Sequence, residues 1–151
     1  MGVAVAGDHQ EDSSQDPYGR IDAERAHAFW TGVQGPSLDV DVYRYAFPGW
    51  AKLAFRVDQP PHVYDWPNIN DERSTLDFAP QADAQQVSCG IGDAGNCMMW
   101  FIRLRYGQYC VLISYISHDG PEPGPDSMWL TDTEARQLAA PLIEQVESQL
   151  A

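Results

Sequence analysis

Two adjacent runs, residues 98–106 and 108–116, are apolar on both of their alternating faces and are separated by Gly107. The large apolar side chains of the first run are Met98, Met99, Trp100, Phe101, Ile102 and Leu104. Strands that are apolar on both faces lie inside a sheet, because other elements must cover each face. The two runs therefore predict a central β-hairpin, around which the rest of the chain is arranged.

The carboxy-terminal segment predicts an amphipathic helix. Thr131 and Glu134 have the spacing of a capping box, in which a hydroxyl and a carboxylate each accept from an amide at the start of the helix. Apolar residues then recur at helical spacing, and Pro141 interrupts the pattern and predicts a kink. The predicted apolar stripe comprises Ala135, Leu138, Ala139, Leu142, Val146 and Leu150.

The amino-terminal half gives weaker patterns. Residues 21–33 have a helical stripe that ends at glycines, so they predict a short helix. Residues 39–47 and 50–58 flank Pro48-Gly49, and a pair of strands is predicted. The second run alternates, with Leu53, Phe55 and Val57 on one face and Lys52, Arg56 and Asp58 on the other. Residues 59–88 are irregular, and we expect a short strand there and a short helix within 80–87.

These elements indicate the α+β class: an antiparallel sheet of about four to five strands, built from two hairpins, with an N-terminal and a C-terminal helix packed on it. The chain has 151 residues, which suits a single domain, and we assign residues 20–151 to it. Residues 1–19 have the composition of a disordered tail. Its Ala4-Val5-Ala6 resembles a signal-peptide cleavage site, so the tail is either a truncated export signal with its tether or a start without function.

The charge balance excludes one class of partner. Asp and Glu total 22 against 9 Lys and Arg, for a formal net charge of −13. A chain so poor in cations is a poor binder of nucleic-acid phosphates, whereas it attracts basic proteins. No apolar run approaches the roughly 18–20 residues of a membrane span.

The three cysteines allow one internal disulfide at most. Cys89 and Cys97 flank a glycine-rich loop that can bring its ends to disulfide distance, and we favour a bridge between them over three reduced thiols. Cys110 lies in an apolar run and is expected to be a buried thiol. Within the loop, Gly90, Gly92 and Gly95 match G-x-G-x-x-G, but a strand rather than a helix is predicted to follow, so a glycine-rich turn explains them better than a nucleotide site.

Polar site candidates are sparse. His62, Asp65 and His118 offer acid–base groups, although they have neither a standard metal-ligand spacing nor a paired nucleophile motif. We therefore predict no catalytic residue, no metal and no cofactor, and keep a small hydrolase-like enzyme that uses these three residues as an alternative.

Aromatic residues near turns and prolines are the more useful indication. Trp50, Tyr64 and Trp66 lie outside the apolar runs, where exposed aromatic side chains often bind protein, peptide or carbohydrate. The other interpretation is that each covers an edge of the core. With His62, Asp65 and His118 they form the set of weak binding candidates.

Three functional hypotheses follow. The first is a non-enzymatic binding or accessory module, extracellular or attached to the cell envelope, with an unknown protein, peptide or carbohydrate ligand. The second is a cytoplasmic acidic inhibitor or immunity-type protein that binds a basic protein. The third is the hydrolase-like enzyme, and the balance of motifs is against enzymatic activity.

Overall fold

In a computed structural model of the chain, residues 10–12, 23–31, 37–57, 69–72, 77–91, 97–116 and 130–150 are described. The strands are β1 (Gln10–Asp12), β2 (Ala23–Thr31), β3 (Ser37–Tyr45), β4 (Ile69–Glu72), β5 (Ala84–Ile91), β6 (Cys97–Tyr106) and β7 (Tyr109–Ile116). The helices are α1 (Pro48–Val57) and α2 (Asp132–Leu150).

These strands form one antiparallel sheet in the order β1-β2-β3-β7-β6-β5-β4. The predicted α+β class with an antiparallel sheet is therefore confirmed. The body of the sheet consists of the five strands of eight residues or more, β2, β3, β5, β6 and β7. The short strands β1 and β4 lie at the two edges.

The hairpin of β6 and β7 is central, as the doubly apolar pattern predicts. Ile102 pairs with Ile113 and Leu104 with Val111, and all four side chains are buried. Gly107 lies in the connection between the strands. Its φ of 53° falls in a backbone region that residues other than glycine rarely adopt. The hairpin joins the β2–β3 pair through β3, which lies against β7.

Helix α2 packs on one face of the sheet and begins with the predicted capping box. The Thr131 amide donates to Glu134 Oε2 at 2.8 Å, and the Glu134 amide donates to Thr131 Oγ1 at 3.3 Å. Ala135, Ala139 and Ile143 are buried in the main core cluster. This buried set corrects the predicted stripe.

The prediction that Leu138 belongs to the buried stripe is wrong, because its side chain is 40% exposed. With about 100° of rotation per residue, Leu138 lies on the flank of the face centred on Ala139. Leu142, Val146 and Leu150 are partly buried against the same cluster, so most of the stripe is confirmed. The helix continues through Pro141.

The prediction of a helix over residues 21–33 is wrong, because Ala23–Thr31 forms strand β2. All nine of its residues pair in register with β3. Alanines at positions 23, 26 and 28 fit either period, so the local pattern was ambiguous and the pairing with β3 decides it.

The prediction of a strand over residues 50–58 is also wrong, since Pro48–Val57 forms α1. Pro48 starts the helix, where its missing N–H is not needed, instead of forming a hairpin turn. The partners of β3 are β2 and β7, so no hairpin joins residues 39–47 to 50–58. The alternation of Leu53 and Phe55 misled the prediction.

In the middle segment, β4 is the expected short strand. The prediction of a short helix within residues 80–87 is wrong, because strand β5 begins at Ala84. Its pairing with β6 over eight residues overrides the local helical tendency. The disulfide between Cys89 and Cys97 is confirmed and joins β5 to β6, with a Cα–Cα distance of 5.4 Å.

Strand β1 lies within the segment 1–19 that was predicted to be a disordered tail. Gln10–Asp12 pairs with β2, so these three residues belong to the sheet instead. The division of the chain at residue 20 remains a prediction.

Candidate binding surface

Of the aromatic and polar site candidates, Trp50 lies in the described part of the chain, on the outer side of α1. The others, His62, Tyr64, Asp65, Trp66 and His118, lie outside the described residues. The candidate surface is therefore built from α1 and its surroundings.

Helix α1 lies on the sheet face opposite α2 and touches it through small side chains. Ala51 and Ala54 are 0% and 2% exposed and pack with Tyr43 and Tyr45 of β3 in a second core cluster. Alanines three positions apart share one side of a helix and let its backbone approach the sheet closely. The buried side of α1 is therefore formed by small apolar residues.

Two strands of the central hairpin fix the helix backbone. The Cys110 thiol donates to the Ala51 carbonyl at 3.5 Å, and it is half-buried rather than fully buried as predicted. The Arg103 guanidinium donates to the Phe55 carbonyl at 3.2 Å and lies 4.9 Å from the centre of the Phe55 ring. A cation near the last turn of a helix also interacts favourably with its dipole. These contacts set which side of α1 faces solvent.

Three large apolar residues of α1 and its approach point outward. Phe47, Trp50 and Leu53 are 64%, 46% and 43% exposed. They border a shallow depression of about 560 Å³ together with Gly49, Lys52 and Arg56. We call these six residues the α1 surface: Phe47, Gly49, Trp50, Lys52, Leu53 and Arg56.

This arrangement reverses the usual placement of side chains on a helix. An ordinary surface helix buries its large apolar residues and exposes its small or polar ones. Here Ala51 is buried while Trp50 and Leu53 face solvent. Exposed apolar patches of this kind, especially with a polar rim, mark interaction sites. The α1 surface is therefore the strongest binding candidate in the described parts of the fold.

Beyond Trp50, sequence reasoning missed this surface. The strand interpretation placed Leu53 on an inward face and Lys52 and Arg56 on the other. The signal that could have indicated the helix is Pro48, which suits a first helical position, followed by the helix-favouring Ala51 and Ala54.

A cluster of polar side chains on β2 and β3 is a second candidate site. It lies on the sheet face that α1 covers. Arg25 forms an ion pair with Asp41 at 2.7 Å, and His27 lies 3.0 Å from Asp39. Burial raises the pKa of Asp39 above its ordinary value, and the His27 contact opposes that shift. Since a cationic or imidazole group of β2 engages each carboxylate of β3, we assign the cluster to strand pairing.

The remaining motifs gain no support as sites. Gly90 lies in β5, and β6 begins at Cys97, so a strand follows the glycine-rich segment. Gly92 and Gly95 lie outside the described residues. Among the described side chains, no group of three or more His, Cys, Asp and Glu is placed to hold a metal ion. Neither described helix is long and apolar enough to cross a membrane.

Fold and surface together define an α+β protein with helices on both faces of an antiparallel sheet and an apolar helix surface turned outward. Comparison of the chain with protein-family models, with curated proteins and with solved structures gives no match.

Proposed function

We propose that this protein is a non-enzymatic binding module that docks a protein partner on the α1 surface. The observation that carries the proposal is the orientation of α1, with Ala51 and Ala54 against the sheet and Trp50 and Leu53 in solvent. Exposing large apolar side chains gives no folding benefit, because folding is driven by removing such area from water. A partner that covers them recovers that free energy on binding.

The composition of the surface suits a protein contact. Tryptophan is enriched at the energetic centres of interfaces, where its truncation typically costs about 2 kcal/mol or more. Trp50 lies beside an open depression lined by Phe47 and Leu53, which can receive a side chain of the partner. The depression is within the usual volume range of ligand sites, but its shallow shape favours an inserted side chain over an enclosed small molecule.

The disulfide supports a location outside the reducing cytoplasm. Disulfides persist in extracellular and envelope compartments and are rare in the cytoplasm. We therefore assign the module to the cell exterior or envelope. A thiol count on protein taken from its native source under denaturing, non-reducing conditions tests this: one thiol is expected, and three would favour the cytoplasmic alternative.

The alternative of an acidic inhibitor rests on the net charge of −13 and predicts a basic partner. Such a partner would be repelled by Lys52 and Arg56 and would bind away from the α1 surface. Its binding would therefore not change when Trp50 or Leu53 is replaced, which separates the two hypotheses.

The test is selection of peptides from a random phage-displayed library on the immobilised wild-type protein, followed by binding measurements on variants. Leu53→Ala and Trp50→Ala are expected to weaken the selected peptides by roughly tenfold or more. Leu138→Ala is the matched control, since Leu138 is also an exposed helical leucine, at 40%, but belongs to α2. Peptides that tolerate both α1 substitutions, or equal losses in all three variants, would refute the proposal.

A further inference from the structure

Two cations of the α1 surface differ from the other described cations. The side chains of Lys52 and Arg56 make no hydrogen bond, ion pair or ring contact with any described residue. The other arginines in the described ranges are partnered, to Asp41, Glu24, Asp83 and Gln86 or, in the case of Arg136, to the Phe78 ring. The two cations without such a contact therefore both lie at the apolar depression.

The two cations lie close enough to repel each other. Lys52 and Arg56 are four residues apart, so they lie side by side on one face of α1. Like charges at this spacing destabilise a helix slightly. The chain carries 22 carboxylates that could neutralise the pair, yet no described one does so. An anionic group that binds between the two cations would remove their mutual repulsion.

We propose that the α1 surface recognises a protein segment in which an apolar anchor side chain is flanked by carboxylates. This inference rests on the proposed function and adds the chemical class of the partner. The anchor enters the depression beside Trp50 and Leu53, and a neighbouring Asp or Glu of the partner meets Lys52 and Arg56. Arginine suits this role because its planar guanidinium donates two parallel hydrogen bonds to one carboxylate.

The geometry favours this occupant over two others. A second copy docked through the same surface about a twofold axis would place Lys52 and Arg56 near their own copies, which is repulsive. An anionic membrane would attract the two cations, but a bilayer has no side chain to fill a concave depression. An acidic peptide segment satisfies both the depression and the cations.

The composition of the phage-selected peptides is the first readout. We expect enrichment of Asp or Glu within a few residues of a shared aromatic or aliphatic anchor. A synthetic peptide from this set is then compared with its glutamine-substituted counterpart by fluorescence polarisation. The glutamine peptide should bind roughly tenfold more weakly, and added salt should weaken the acidic peptide more than the neutral one.

Variants of the protein supply the second readout. Lys52→Gln and Arg56→Gln should each weaken the acidic peptide by about two- to fivefold and leave the glutamine peptide unchanged. Arg44→Gln is the control, because Arg44 is an exposed arginine on β3, outside the α1 surface. The charge reversal Arg56→Glu should favour a lysine-substituted peptide.

The outcomes separate this inference from the proposed function. Selected peptides that need Leu53 but are neutral or basic would overturn the carboxylate inference and leave the docking function intact. Peptides insensitive to every α1 substitution would overturn both. Sedimentation with phosphatidylglycerol vesicles that depends on Lys52 and Arg56, without binding of acidic peptides, would overturn the inference in favour of a membrane surface.

Discussion

Replacing Ala51 by leucine tests whether α1 lies on the sheet through its alanines. Ala51 is fully buried against Tyr43 and Tyr45, and its carbonyl accepts from the Cys110 thiol. A leucine at this position adds three carbon atoms where the helix backbone is held close to the sheet. The helix must then move outward or force neighbouring side chains out of their preferred rotamers.

The expected loss follows from the cost of overpacking, about 1–3 kcal/mol in the free energy of unfolding. The intrinsic helix propensities of alanine and leucine are similar, so propensity contributes little to the difference. The companion substitution Leu53→Gln changes a side chain that is 43% exposed, and its effect should lie within about 0.5 kcal/mol of zero.

Equilibrium unfolding in urea, followed by circular dichroism, measures both variants. For a chain of this size each kcal/mol corresponds to about 2–4 °C in Tm, so thermal unfolding gives a second measurement. The slope of the free energy against urea should match that of the wild type, which shows that the same surface is exposed on unfolding.

If Leu53→Gln lost more free energy of unfolding than Ala51→Leu, the helix would be packed by its large residues. The α1 surface would then be an ordinary buried face, and the proposed function would lose its basis. Leu138→Gln provides the reference for an exposed leucine on a helix and should match Leu53→Gln.

Three further predictions concern the rest of the fold. Thr131→Ala should lower the free energy of unfolding by about 1 kcal/mol at neutral pH. The Thr131 amide and hydroxyl lower the pKa of Glu134. The part of the cap that depends on the Glu134 carboxylate should therefore be present above the ordinary glutamate pKa and be lost as the pH falls through the lowered value, which urea unfolding in acidic buffers checks. Replacing both Cys89 and Cys97 by serine should cost about 2.5 kcal/mol, the loop-closure entropy of a separation of eight residues, measured by urea unfolding against the oxidised wild type. Burial, with a smaller effect of Glu134, raises the pKa of Tyr115 from 10.0 to about 12. The free energy of unfolding should therefore fall as the pH rises between these two values, because the unfolded chain loses this proton first. Tyr115→Phe should remove that part of the pH dependence in urea unfolding at alkaline pH.

The binding site was only partly predictable from the sequence. Trp50 was found because it lies beside a turn signal, outside an apolar run. Leu53, Lys52 and Arg56 were missed because hydrophobic periodicity predicts which residues are buried, whereas α1 exposes its large apolar side chains. No local pattern shows that Ala51 rather than Leu53 faces the sheet.

The sequence by itself determined the elements whose signals are local and mutually consistent. The doubly apolar runs specified the central hairpin, and Thr131 and Glu134 specified the start of α2. The short glycine-rich segment favoured the Cys89–Cys97 disulfide that the structure contains. In each case the interacting residues are near one another along the chain, so their spacing constrains the geometry directly.

Only the tertiary structure decided the state of residues 23–31 and the orientation of α1. The first segment is rich in alanine and becomes a strand because β3 offers it nine partners. The second lies on its alanines because Tyr43 and Tyr45 of β3 fill the space above the sheet. Both outcomes depend on contacts with another element of the fold. The pattern of residues within a segment does not show which element will pack against it.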